Sequence, residues 1–469
     1  MKSTSSYWFR AGFYTIFEQL SVVLFGFGSV LILLRVLSKE DFGVWALFLT
    51  IAAFIEVARN GLIQNAFIKF ITSLNPESPD FKDQYARINT ASLFLNIIIT
   101  LISISLLCVF AGALSLLWRS PQLQYMLYFY AISTTALIPF SQFTFLQQAN
   151  LEFKGVFWSN FVRQGMFFTL VLATFILHKT TLFNITLFHA IAAIVGAFTA
   201  YIYSRKYIVL SNKIDFNWVR KLFNYGRFVF GTNMGAMLHK SIDKFMLGSI
   251  LSTGAVAMYD LATRINNLME IPVSATASVV FPQSSRSNNG NSGNVSVKEL
   301  YEKSVAAVLT LLLPCIAFVF LFPEWIIWVI AGSKYVDAAP LMKITALYGL
   351  FLPFARQFGT IFDSIGKPRL NFYFVVFGAG LNLVFNYFFI HRFGTMGAAY
   401  GTLTVFVVTF ILNQLILYKE LKINILDIAR YIGRFYIQIP GITGNLLSKA
   451  LTHIQRKTAS TPEPNTTKP

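Results

Sequence analysis

Runs of some 20 apolar residues, separated by short polar or Gly- and Pro-bearing turns, recur from one end of the 469-residue chain to the other. A helix needs about 20 such residues to cross about 30 Å of hydrocarbon, and it satisfies its own backbone groups where no water can. The pattern therefore predicts an all-α polytopic membrane protein. Twelve spans are read at 12–34, 42–66, 88–114, 124–146, 156–178, 183–204, 228–251, 254–281, 301–331, 341–363, 371–391 and 396–418. Pro314 and Pro323 fall inside the ninth and are expected to kink or break it. The stretch from Phe13 to Leu34 is too long for a cleavable signal and is read as the first span.

Between the spans, the longest basic linker, Arg205 to Arg227, divides them six and six and is read as an amphipathic, hinge-like segment on the inner leaflet. A weak internal repeat supports that division. At an offset of 214, Leu37, Ser38, Leu47, Ile51 and Glu56 match Leu251, Ser252, Leu261, Ile265 and Glu270, and such repeats commonly flank a transporter's substrate site. The expected organisation is two pseudo-symmetric six-helix lobes, 1–212 and 213–418, around a central cavity, followed by a cytoplasmic tail at 419–469. A second linker, Pro282 to Val297, is polar and rich in Gly, Ser and Asn, hence a loop. Ile423 to Gln438 carries Asp427, Arg430 and Arg434 among apolar residues and is read as a surface helix; the last dozen residues have a disordered composition.

Composition narrows the class. With 55% hydrophobic and 12% charged residues, no sizeable soluble domain is expected. The net charge of +18 would suggest nucleic acid in a soluble protein, but here its placement decides. With the N-terminus inside, 25 basic residues fall on the cytoplasmic side and six on the other, which predicts cytoplasmic termini and no nucleic-acid partner. Cys108 and Cys315 both lie in apolar runs, so neither a disulfide nor a metal site is expected. Without a G-x-S-x-G sequence, a phosphate-binding P-loop or paired cysteines, the chain predicts no catalytic centre, no cofactor and no ATP-driven pump.

Ionisable side chains at membrane depth are costly and point to a substrate or ion pathway. Arg59, Arg163, Lys240, Lys244, Arg264 and Arg356 are the candidate substrate contacts, drawn from both halves. Together they would form a basic cavity suited to phosphate, which the planar guanidinium binds in bidentate fashion. The competing reading neutralises each cation locally: Glu56 with Arg59, Asp243 with Lys240 or Lys244, Asp260 with Arg264, and Asp363 with Arg356. Arg163 has no acid near it in sequence. Glu18 and Asp243 are the candidate ion-coupling acids, with Glu18 ahead because Asp243 has two lysines beside it; His189 is read as a packing residue.

Several stretches, in order along most of the chain, resemble the Wzx-like polysaccharide and O-antigen flippases of the multidrug/oligosaccharidyl-lipid/polysaccharide exporter superfamily. They are RVLSKEDFGVWALFLTI at 35–51, SIDKFMLGSILSTGAVAMYDLATRI at 241–265, GSKYVDAAPLMKI at 332–344, IGKPRLNFYFVVFGAGLNLVFNYFFI at 365–390 and GTMGAAYGT at 394–402. Where that family typically has Asp-Arg, this chain has Asp243-Lys244. The resemblance implies a two-lobed bacterial inner-membrane flippase. Its substrate would be an undecaprenyl-diphosphate-linked oligosaccharide, such as an O-antigen unit for lipopolysaccharide, moved from the cytoplasmic to the periplasmic leaflet with H+ or Na+ exchange. A polysaccharide polymerase and a chain-length regulator are the further partners it implies. A membrane glycosyltransferase (O-antigen polymerase or ligase) and a drug or cation exporter of the same superfamily are the alternatives. The first is disfavoured by long loops on the cytoplasmic side and the second by an excess of basic over acidic groups.

Overall fold

The computed structural model describes residues 4–288 and 296–438, and among them there is no β-strand. The chain folds as α1 (Thr4–Val36), α2 (Lys39–Arg59), a π-turn (Asn60–Gln64), α3 (Asn65–Thr72), α4 (Phe81–Leu117), α5 (Pro121–Ala149), α6 (Phe153–Ile176), α7 (Leu182–Ser204) and α8 (Phe216–Ile250). Then come α9 (Thr253–Asn288), α10 (Val297–Leu321), α11 (Pro323–Ala331), α12 (Ala339–Ala346), α13 (Tyr348–Ser364), α14 (Pro368–Phe393), α15 (Thr395–Leu421) and a helix at 425–438, α16. Each of the twelve expected spans coincides with one of these helices or with consecutive ones. Among the described residues, eight segments are long and apolar enough to cross a membrane; α5, α6, α8 and α9 are more polar.

The breaks follow the sequence. Pro323 cannot donate to a preceding turn, so α10 ends at Leu321 and α11 starts afresh at Pro323, whereas Pro314 stays inside α10. Gly332 ends α11 at φ 79°, a left-handed conformation that glycine adopts without a Cβ clash. Ser38 and Ser252, the pair related by the 214-residue offset, cap the next helix in the same way, accepting from the N–H of Asp41 and Ala255.

Two expected loops differ. Residues 216–227 of the basic linker are the first turns of α8, capped by Asp215. The remainder is a 3-10 turn (Arg205–Tyr207) and an irregular stretch held by Asn89 and Thr90, whose side chains bond Val209 and Ser211. Residues 282–288 continue α9; the rest of the expected Gly/Ser/Asn loop up to 295, and the expected tail from 439 on, lie outside the described residues.

The helices form two compact units. The first comprises the chain up to Arg264 with 322–345 and 372–405. In it α1 packs on α6, α6 on α7, α7 on α5 and α5 on α4, while α8 lies on α2 and α4. Large apolar side chains such as Ile16, Leu24, Leu101, Val109 and Phe198 stay exposed, as lipid as solvent permits. The second unit comprises 265–321, 346–371 and the chain from Phe406. There α16 docks along α10: Glu302 accepts from the Asn424 N–H at 3.2 Å, Lys298 pairs with Asp427 at 3.5 Å and the Tyr436 hydroxyl donates to the Thr310 carbonyl at 2.8 Å.

Candidate substrate and ion sites

Arg59 is the last residue of α2, and the helix widens into a π-turn directly after it. Such bulges re-aim side chains and concentrate at functional positions. The bulge is locked from α8. A Cβ on Gly226 would lie 1.8 Å from the Leu62 carbonyl oxygen, so the two backbones touch only because that residue is glycine. Arg59 is 2% exposed and its Nη1 has no hydrogen-bond partner among the described residues. Glu56, one turn earlier, accepts from Arg163 Nη1 of α6 at 3.4 Å. The Arg163 guanidinium also lies over the Phe140 ring at 4.6 Å. His189 is wedged among the rings of Phe48, Tyr130 and Phe167. One carboxylate thus faces two guanidinium groups, and an unsatisfied buried cation of this kind favours an anion beside it.

The second cluster repeats that ratio. On α9 Asp260, 4% exposed, meets Lys244 of α8 at 2.5 Å and Arg264 one turn on at 2.6 Å. Arg264 also faces the Phe42 ring at 5.8 Å, and its Nε is buried without a partner. The local pairing read for Asp260 and Arg264 is therefore present, with Lys244 added to it.

Asp243 has other company. Its carboxylate accepts from the Tyr259 hydroxyl of α9, from Asn386 Nδ2 of α14 and from the Thr402 hydroxyl of α15, the last at 3.0 Å. Asn386 donates also to Asn382 Oδ1, Asn382 donates to Thr402 Oγ1 at 3.3 Å, and Asn386 Oδ1 is buried without a partner. Four helices thus bring one buried acid together with the hydroxyl and amide groups that donate to it, and an acid held at membrane depth is a candidate for carrying an ion or a proton. Of the two lysines offered as local partners for Asp243, Lys240 and Lys244, the second reaches Asp260 instead.

The remaining predicted residues stand apart. Glu18 is half-buried and accepts from Asn160 Nδ2 of α6 at 2.8 Å. Lys240 is exposed on α8. Arg356 is exposed on α13 in the second unit, where Asp363 accepts from Asn371 at 3.0 Å. Sequence reasoning missed Tyr259, Asn382, Asn386 and Thr402; the one available signal was the Asn pair four residues apart in an apolar run.

At the end of the first unit away from Thr4, the turn joining α1 to α2 is clasped by α11 and the segment after it. Arg35 donates to the Val329 carbonyl at 2.6 Å, Lys39 pairs with Asp337 at 3.1 Å and Lys334 donates to the Leu37 carbonyl. Beside it α2 and α9 approach so closely that a Cβ on Gly43 would lie 1.8 Å from the Thr253 carbonyl oxygen.

The fold and its apolar segments together define a polytopic helical membrane protein. The chain belongs to the polysaccharide biosynthesis protein family, whose model matches residues 32–340, well over half of its length. It is similar to the probable low-salt glycan biosynthesis flippase Agl15 of Haloferax volcanii, at 25% identity over 43% of this chain and 42% of that one. The chain spans less than half the length of the curated relatives it matches. Among solved structures, the fold is that of an inward-facing multidrug resistance MATE family transporter of the MOP superfamily (TM-score 0.72, 15% identity, 85% of this chain and 94% of that one). It is equally that of the lipid II flippase MurJ in an inward closed conformation (TM-score 0.72, 14% identity, 92% of each chain).

Proposed function

We propose that this protein is a flippase for an undecaprenyl-diphosphate-linked oligosaccharide, carrying it from the cytoplasmic to the periplasmic leaflet by alternating access of the lobes 1–212 and 213–418. The observation that carries this reading is the repeated charge ratio: Glu56 against Arg59 and Arg163, Asp260 against Lys244 and Arg264. Each cluster retains an uncompensated cation at low dielectric, which attracts a diphosphate strongly. Family membership and the flippase relative support a glycan cargo. Lys240 and Arg356 are assigned to the same anion path. The host membrane is the bacterial inner membrane with both chain termini in the cytoplasm, and the protein performs no covalent chemistry.

Asp243 is the coupling acid in this reading, ahead of Glu18. Its carboxylate is buried and takes hydrogen bonds from Tyr259, Asn386 and Thr402 on three other helices, a setting in which it can take up H+ or, once those donors turn away, Na+, whereas Glu18 is half-exposed and already bonded to Asn160. The test is competition binding by the purified protein in nanodiscs with a polyprenyl diphosphate, the matching monophosphate and the free polyprenol. The diphosphate should bind tightest and lose its advantage in Arg59→Gln and Arg163→Gln. Equal binding of all three lipids would instead favour a drug exporter of the same superfamily, whose fold this chain shares.

A further inference from the structure

A cavity of about 380 Å3 opens at the clasped end of the first unit, between the α1–α2 turn, the start of α5 and the start of α7. Its size is at the lower end of small-ligand pockets, roughly 300–1,000 Å3. Tyr125, Phe129 and Phe183 supply its rings, and Asp41, Gln122 and Thr180 its polar groups. Tyr125 and Phe183 are 63% and 62% exposed, and Phe183 meets Phe129 at 6.1 Å in a tilted pair. Asp41 donates its backbone N–H to Ser38, and its carboxylate has no hydrogen bond or ion pair among the described residues. Gln122 accepts from Ser120 through its oxygen, which leaves its amide hydrogens for a ligand.

This combination selects a ligand chemistry. A pyranose has an apolar C–H face that stacks on an aromatic ring and a rim of hydroxyls that bonds carboxylates and amides. An acyl chain has no use for Asp41 and Gln122, and an anionic headgroup is opposed by Asp41 in a cavity that no Lys or Arg lines. We propose that the cavity is a sugar subsite, holding one pyranose unit of the glycan beside the clasp. Leu37 and Asp41, both in its wall, flank Lys39, which pairs with Asp337, so the subsite and the clasp share one turn. The inference rests on the glycan cargo proposed above, and it adds a place where the sugar, as distinct from the diphosphate, is recognised.

The test is saturation-transfer NMR on the full chain in nanodiscs, with the methyl glycosides of glucose, galactose and N-acetylglucosamine as probes. At least one should receive saturation, strongest at its C–H face. Tyr125→Ala and Asp41→Asn should each weaken its binding by about tenfold, the loss of a stacked ring or of a hydrogen bond to a charged group. Both side chains reach solvent, and Thr180→Val, which keeps shape and removes a hydroxyl oxygen that donates to Thr174 at 3.4 Å and can accept from a sugar, supplies a milder variant for comparison. Equal transfer in wild type and all three variants overturns the subsite, as does displacement of the glycoside by tetramethylammonium, which would mark a cation pocket. Diphosphate-lipid binding measured on the same preparations separates the claims. If it persists without glycoside contact, the subsite alone falls; if glycosides bind while the diphosphate advantage is absent, the assignment of the charged clusters falls.

Discussion

Glu56 and Arg163 stand 107 residues apart in sequence and meet at 3.4 Å, one carboxylate on α2 serving a guanidinium on α6 while Arg59 one turn away keeps an unbonded nitrogen. The arrangement makes Arg59 costly to the fold and useful to an anionic cargo. Replacing a buried, poorly paired charge by an apolar side chain is neutral or stabilising, by up to about 4 kcal/mol. Arg59→Met should therefore leave the thermal midpoint in detergent equal or higher while reducing diphosphate-lipid transport at least tenfold. A lower midpoint with full transport would assign Arg59 to structure alone.

Asp243→Asn preserves size and removes the acid that Tyr259, Asn386 and Thr402 surround. In proteoliposomes its substrate flipping should no longer respond to an imposed Na+ or pH gradient, whereas Glu18→Gln should respond as the wild type does. A gradient response that survives in the Asp243 variant and vanishes in the Glu18 variant would move the coupling site to α1.

The clasp predicts a reversible block. In a background with Cys108 and Cys315 replaced by Ser, Lys39→Cys and Asp337→Cys together, bridged by a short bis-thiosulfonate linker, should stop transport, and dithiothreitol should restore it. The native side-chain tips are 3.1 Å apart, so a linker about as long as the lysine stem spans the two sulfurs. Unchanged transport in fully bridged protein would show that this end does not open.

Gly43 and Gly226 each meet a carbonyl oxygen at 1.8 Å from where a Cβ would stand, while Gly26 has nothing within 4 Å. Gly43→Ala and Gly226→Ala should destabilise by about 1–3 kcal/mol through overpacking, and Gly26→Ala should not. Thermal unfolding followed by tryptophan fluorescence reads the difference; equal midpoints in all three would mean that the helices part without cost.

The helices were legible because lipid imposes length and apolarity on every segment, and the break at Pro323 followed from a missing donor. The Asp260–Arg264 pair was legible too, since a spacing of four fixes contact on a helix. Contacts between helices were not. Arg163 seemed partnerless because Glu56 lies on another helix, and Asp243 was paired with its lysine neighbours because Asn386 and Thr402 lie 143 and 159 residues away. Nor does periodicity reveal the π-turn after Arg59, which depends on Gly226 of α8 approaching Leu62.

The most direct measurement is transport of a fluorescent undecaprenyl-diphosphate-linked oligosaccharide in proteoliposomes, comparing the wild type with Arg163→Gln and Arg264→Gln. The account predicts leaflet exchange by the wild type and loss of at least tenfold in both variants at equal reconstitution. Undiminished exchange in both, or none by the wild type under any imposed gradient, would contradict it.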